Sequence, residues 1–344
     1  MGINKIKILF FGSGDFPVPT FEYIINHLND KYEIVGLITS KDKPTYHHYR
    51  LYDLALQHNI PIHIPQNLES DETYEWCKEK DADVFCVISY KKLPHRIYNL
   101  AKGCAFNVHA SLLPFLKGAS PIYWAIVYGF KETGLTSFIL NDKIDCGNII
   151  CNQVEKIEPN ETFGTLFQKL MISCIDITKN TLEKIGNKTE EELIKENKLF
   201  YQPTSFHFDK APKKRLGGKG LVLYGFNMFE RIFRASLPQN GLRILLKTNI
   251  CGGTDEKYLS DRHYKTYELI LWDYEIKTKD EIEYFDRTPV ETDGKTFFNI
   301  HFNGYDKYLS IKELQLQGKK RMGVEEFLRG FQVARRNGIV LNVC

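Results

Sequence analysis

The first 185 residues alternate continuous apolar runs with amphipathic segments, and few folds accommodate that alternation. KIKILFFG at 5–12, YEIVGLITS at 32–40 and DVFCVISY at 83–90 lack the in-out pattern of a half-exposed strand. Each therefore needs cover on both faces. Between them, helical spacing runs from about Pro19 to Leu28, through YRLYDLALQHN at 49–59 and through DETYEWCKEK at 71–80, with a short strand in IPIHIP at 60–65. Strands joined by helices of this length form right-handed crossovers, and the expected result is a doubly wound, Rossmann-like parallel sheet. Such sheets bind ligands beyond the C-terminal strand ends, which directs attention to the loops after Phe11, Ser40, Tyr90 and Val108.

After a helix ending near Ile185, charge, proline and glycine replace apolar periodicity in GNKTEEELIKENKLFYQPTSFHFDKAPKKRLGGKG. From about Leu221 the segments LRILLKT, YELILWDYEI, TFFNIHF and YLSIKELQL alternate between Gly, Asn and Asp turns. This pattern fits a small antiparallel, OB-like β-barrel. The expected organisation is a catalytic domain over 1–190, an interdomain linker over 191–220 and a barrel domain over 221–344.

Composition narrows the classes further. No stretch of about 18 uncharged apolar residues is present to span a bilayer, and the apolar start is cut at Gly12–Asp15 before a signal-peptide cleavage region forms. A cytoplasmic, monomeric protein is expected. The 8 cysteines form no CxxC pair, so reduced thiols are expected rather than a disulfide framework or a zinc site. A net charge of +3 does not by itself imply nucleic acid, although KAPKKR at 210–215, GKKR at 318–321 and ARR at 334–336 concentrate basic charge late in the chain.

GSGDFP at 12–17 follows a strand and precedes a helix, as a dinucleotide loop does, but Pro17 stands where the third glycine would allow close helix packing. NAD is not expected. AFNVHASLLPFLKGASPIYWAI at 105–126 carries more information. Strand alternation places Asn107 and His109 on one face, and a helix begins near Ser120 with Pro121 in its first turn. In LTSFILNDKIDCGNII a turn with Asp142 and Asp145 joins two strands, and either carboxylate could reach His109 if its strand lies alongside.

The run NVHASLLP, then GASPI, then Asp145-Cys146-Gly147, resembles the signature of the methionyl-tRNA formyltransferase family. FGSGDFPVPTFE, SKDKP and ELQLQGKKRMGVEEFLRGF are similar to that family's opening, second strand end and closing segment, so the resemblance covers nearly the whole chain. It implies 10-formyltetrahydrofolate as donor, no metal, and Asn107, His109 and Asp145 as the catalytic set. The chemistry agrees: an amine attacking a formyl carbon creates an oxyanion suited to the Asn107 amide and protonated His109, while Asp145 orients the imidazole and takes up a proton. Ser111, Leu112, Leu113 and Pro114, with Tyr90 and Asp142, are the implied donor-binding residues. The implied acceptor is methionyl-tRNA, contacted by Arg50, Lys117, Lys213, Lys214, Arg215, Lys319, Lys320 and Arg321. Sugar N-formyltransferases share this core, so a nucleotide-linked amino sugar is the alternative acceptor. A folate- or tRNA-binding protein without catalysis is the alternative of another class.

Overall fold

The computed structural model describes residues 5–40, 50–196, 198–199, 225–238, 241–249, 264–280, 290–302, 304–330 and 340–342. These fall into two compact units. The first takes most of the chain up to residue 213, and the second takes residues 126–129 and 160–164 with the remainder.

The first unit runs β1 (Ile6–Gly12), α1 (Val18–His27), β2 (Tyr32–Ile38), α2 (Arg50–Gln57), β3 (Ile62–His63), α3 (Asp71–Glu79), β4 (Val84–Ile88), α4 (His95–Tyr98) and β5 (Cys104–His109). It continues through α5 (Pro121–Val127), β6 (Glu132–Ile139), β7 (Ile149–Lys156), α6 (Phe163–Ile185) and α7 (Glu190–Lys195). One 7-stranded sheet has the order β3-β2-β1-β4-β5-β6-β7. The neighbouring pairs from β3 to β5 are parallel, as the uninterrupted apolar runs require. The order reverses between β1 and β4, which opens the crevice at their C-terminal ends.

The sheet is not parallel throughout. β5 pairs β6, and β6 pairs β7, in antiparallel fashion. The short turn between β6 and β7 permits only a hairpin, because a parallel return needs a crossover of a dozen or more residues. Its core joins Leu9, Phe11, Phe85 and Val87 from the strands to Ile97 and Tyr98 of α4, all buried.

The stretch expected to begin a linker instead begins as helix α7. Thr189 caps it, accepting from Glu192 N–H while the Glu192 carboxylate accepts from Thr189 N–H, and Leu193 is buried. Two donors at the helix start are thereby satisfied reciprocally.

The second unit contains α8 (Gly225–Ser236), β8 (Leu242–Asn249), β9 (Tyr264–Thr278), β10 (Val290–Thr292), β11 (Phe298–His301), β12 (Lys307–Leu316), β13 (Met322–Gly323), α9 (Val324–Gly330) and β14 (Val340–Asn342). Its sheet has the order β10-β11-β12-β9-β8-β14, with β13 on β12 and every described pairing antiparallel. This is the small barrel-like class expected from the short alternating segments. Ile244, Leu269, Leu271, Phe298, Ile300, Leu309 and Leu314 supply its buried face. Helix α8 buries Phe226, Phe229, Ile232 and Phe233, with Phe233 stacked on Tyr274 at 4.4 Å between ring centroids. Among the described residues no helix is long and apolar enough to cross a membrane.

Candidate active site

β5 delivers its two polar side chains at the end of the sheet where the crevice opens. Asn107 lies in register with Val87 of β4 and Phe138 of β6, and His109 with Thr136 of β6. Being two residues apart on a strand, they share a face. Asn107 is half-buried, and His109 is only 8% exposed.

The loop after β5 folds back to hold the imidazole. His109 Nε2 lies 2.9 Å from the Leu116 carbonyl, which can only accept, so Nε2 carries a proton. Leu116 has φ +56° and Ser120 φ +58°, conformations that cost on the order of 1–3 kcal/mol for residues with a side chain. Bonds inside the loop offset that strain. Ser111 Oγ donates to Phe115 O at 2.6 Å, Thr136 Oγ1 donates to Ser111 O at 2.7 Å, and Thr136 Oγ1 accepts from Leu113 N–H at 3.0 Å.

Thr136 is fully buried, so its removal leaves backbone groups without partners. Thr136→Val, which conserves shape, is expected to destabilise the first unit by about 1–3 kcal/mol. Chemical denaturation measures this directly. An unchanged midpoint would mean that the loop closes without the hydroxyl.

The β6–β7 turn supplies the carboxylate. Asp145 Oδ2 lies 3.6 Å from His109 Nδ1 and accepts the Gly118 N–H at 2.7 Å. Both acidic and imidazole side chains are about nine-tenths buried. Asp145 has φ +52°, a conformation that aspartate tolerates better than most residues. Gly147 explains the Asp-Cys-Gly order, since a Cβ at that position would collide with the Ile139 carbonyl oxygen. Asp142, three residues earlier, does not approach the imidazole. Its Oδ1 accepts from Tyr98 Oη at 2.9 Å, and its carbonyl accepts from Lys92 Nζ at 2.7 Å.

The other residues implied in donor binding are mostly tied into the protein. Ser111 and Leu113 are buried, Leu113 in a cluster with Phe138 and Ile149, and Pro114 is buried beside them. Leu112 is half-buried. Tyr90 lies next to the Phe11 ring at 6.0 Å, with its hydroxyl 3.4 Å from Thr39 O. Lys117 reaches Cys146 Sγ at 3.4 Å, which places a cation beside the Asp145 turn.

Lys213, Lys214, Arg215 and the Arg50 side chain are outside the described residues. Lys319, Lys320 and Arg321 belong to the second unit and are exposed. Lys320 pairs with Glu326 at 3.2 Å, and Arg321 pairs with Glu313 while lying over the Trp272 ring at 5.1 Å. Among the described residues no group of three or more His, Cys, Asp or Glu is placed to hold a metal ion.

Sequence reasoning missed Thr136, Gly118, Leu116, Tyr98 and Lys92. Only Thr136 carried a signal, as one of two adjacent polar residues, with Ser137, in the mainly apolar run LTSFIL.

Residues 6–173 match the family model described as formyl transferase. A methionyl-tRNA formyltransferase of Flavobacterium psychrophilum is 34% identical over 95% of this chain and 97% of its own length. That of Flavobacterium johnsoniae is 30% identical with the same two coverages. Among solved structures, WlaRD, a sugar 3N-formyltransferase determined with dTDP and 5-N-formyl-THF, superposes with TM-score 0.56 at 19% identity, covering 92% of this chain and 100% of that one. That likeness concerns the fold.

Proposed function

The chain belongs to the methionyl-tRNA formyltransferase family, and from that premise we propose that it transfers a formyl group from 10-formyltetrahydrofolate to the amino group of methionyl-tRNA. The observation that carries this reading is the convergence of Asn107, His109 and Asp145 at the end of β5, with Asp145 Oδ2 3.6 Å from His109 Nδ1.

The donor supplies an electrophilic formyl carbon bound to nitrogen. The residues present fit its reaction. Half-buried Asn107 offers amide N–H groups to the oxygen on which negative charge develops. The Leu116 carbonyl engages Nε2 of His109, which leaves Nδ1 as the nitrogen that faces Asp145. Protonated, the ring places positive charge beside the developing oxyanion. The attacking amine must lose a proton as its bond to the formyl carbon forms, and Asp145 receives it directly or through water; the bond from that carbon to the donor nitrogen then breaks, and the proton returns to the leaving nitrogen. Burial of the pair excludes bulk water and strengthens these interactions.

Ser111, Leu112, Leu113 and Pro114 serve the donor by fixing the loop beside it, while Tyr90 offers a ring at the crevice. Lys117 and the basic runs at 213–215 and 319–321 supply the positive charge for the phosphates of the acceptor. Pairing of Lys320 and Arg321 with Glu326 and Glu313 reduces what those two contribute to phosphate binding. The proposed site of action is the cytoplasm.

Acceptor identity is tested by supplying one formyl donor with either charged initiator tRNA or nucleotide-linked amino sugars, across a salt series. With tRNA, log affinity against log salt should fall with a slope of about −0.9 per neutralised phosphate of duplex, or about −0.7 for single strands. A nucleotide sugar has few phosphates, so its dependence is shallow. Formylation of amino sugar with no activity on methionyl-tRNA would replace the acceptor; activity on neither would leave a binding protein.

A further inference from the structure

Asp142 and Asp145 share one turn but face opposite ways. Asp145 closes on Gly118 N–H and His109, whereas Asp142 closes on Tyr98 and Lys92. Between them the turn has little packing to define it, since Lys143 is exposed and the Ile144 side chain is 58% exposed. Inside it, Lys143 N–H donates to Asn141 Oδ1 at 3.0 Å and Cys146 Sγ donates to the Ile144 carbonyl at 3.1 Å, so the placement of this locally bonded loop depends on its tethers.

Tyr98 is the firmer tether. It ends α4 and is buried at 9% exposure against Ile97, Phe85 and other members of the main core cluster, so its hydroxyl projects from a fixed point. Burial, with the Asp142 carboxylate at the hydroxyl, pushes Tyr98 up to about 12, and the phenol therefore remains a donor across the range in which the protein works. Lys92 is exposed and holds only the Asp142 backbone. The β6 end of the turn is set by Ile139 N–H on the Asn148 carbonyl at 2.9 Å. With that end fixed, the position of Asp142 determines how far residues 143–145 reach toward His109.

We propose that Tyr98 is a positioning residue for the reaction: by donating to Asp142 it holds the β6–β7 turn so that Asp145 reaches both Gly118 N–H and His109 Nδ1. Asp142 is then an anchor rather than a ligand of the donor. The inference rests on the formyl-transfer reading of the site, and its test includes a measurement independent of that reaction.

Tyr98→Phe removes only the hydroxyl. Turnover is expected to fall about five- to tenfold, with KM for both substrates within about twofold, as when a catalytic group is displaced without loss of binding surface. In an Asp145→Asn background the same change should cause no further loss, because there is no carboxylate left to position. Asp142→Asn keeps an acceptor for the Tyr98 hydroxyl, and its turnover should exceed that of Asp142→Val by about fivefold, a comparison that stands even if the Tyr98 variant folds poorly. Exchange of the Gly118 amide, followed by NMR, should accelerate in Tyr98→Phe, and this holds whatever reaction the site performs. The proposal is overturned by full turnover in Tyr98→Phe, by an equal loss in the Asp145→Asn background, or by unchanged Gly118 exchange. A wild-type protein that transfers no formyl group, with Gly118 exchange still accelerated in the variant, overturns the functional reading and leaves the anchor standing.

Discussion

Asp145→Asn is expected to lower turnover by about 10²-fold or more, the usual scale for losing an acid-base group. Asparagine is the informative replacement. It tolerates the left-handed backbone that Asp145 adopts at φ +52°, and its amide oxygen can still accept the Gly118 N–H. The shape of the turn is retained while the charge facing His109 is removed. Alanine would instead add backbone strain and confound the measurement. His109→Ala and Asn107→Ala should each lower turnover on a similar scale, through loss of the cation and of an oxyanion donor.

Three groups acting as one unit give losses that do not add. The Asn107→Ala, His109→Ala and Asp145→Asn triple variant should therefore be little slower than the slowest single variant. Initial-rate formylation of methionyl-tRNA, with thermal melts to establish folding, provides both comparisons. Near-normal turnover in all three folded single variants would remove the catalytic assignment, and strictly multiplicative losses would mean that the residues act independently.

The α/β unit was legible because its strands are buried on both faces, which leaves apolar runs that no other element explains. The antiparallel β5–β6–β7 end was less so. β6 is as continuously buried as the parallel strands of the sheet, so strand composition does not reveal its direction, and the connection from β5 through α5 is long enough for a crossover of either kind. Two helices carry signals that their surroundings mask. Thr189 and Glu192 stand at capping-box spacing before α7, but the surrounding run of charge reads as solvated linker. Phe226, Phe229 and Phe233 recur at helical spacing in α8, yet the segment directly precedes a series of strand-like stretches.

At the site, strand alternation was enough to put Asn107 and His109 on one face. It could not separate Asp142 from Asp145, because both are turn carboxylates and the distinction depends on which neighbouring element each meets. The restraints on the imidazole were still less visible. They use the Leu116 carbonyl and the Gly118 amide, and backbone groups leave little trace in side-chain identity.

Gly147→Ala is expected to approach Asp145→Asn in effect, although it touches neither substrate nor charge. A Cβ at this position would overlap the Ile139 carbonyl oxygen and sit 2.8 Å from the carbonyl carbon and 3.1 Å from a Phe138 ring carbon. None of these can withdraw cheaply: Phe138 and Ile139 are 1% and 4% exposed, and Ile139 is bound through its N–H to Asn148. The turn must move instead. A displacement of about 1 Å in a positioning element can cost about 10²-fold in rate, and overpacking a filled region typically destabilises by about 1–3 kcal/mol. Turnover should therefore drop about 10²-fold with a measurable fall in stability, whereas Asp145→Asn should reproduce the kinetic loss with much less of the thermal one. Rate assays beside calorimetry of the two variants separate these contributions. Wild-type turnover in Gly147→Ala would show that the turn adjusts without moving its carboxylate, and rigid placement of Asp145 could no longer explain why glycine follows it at this spacing.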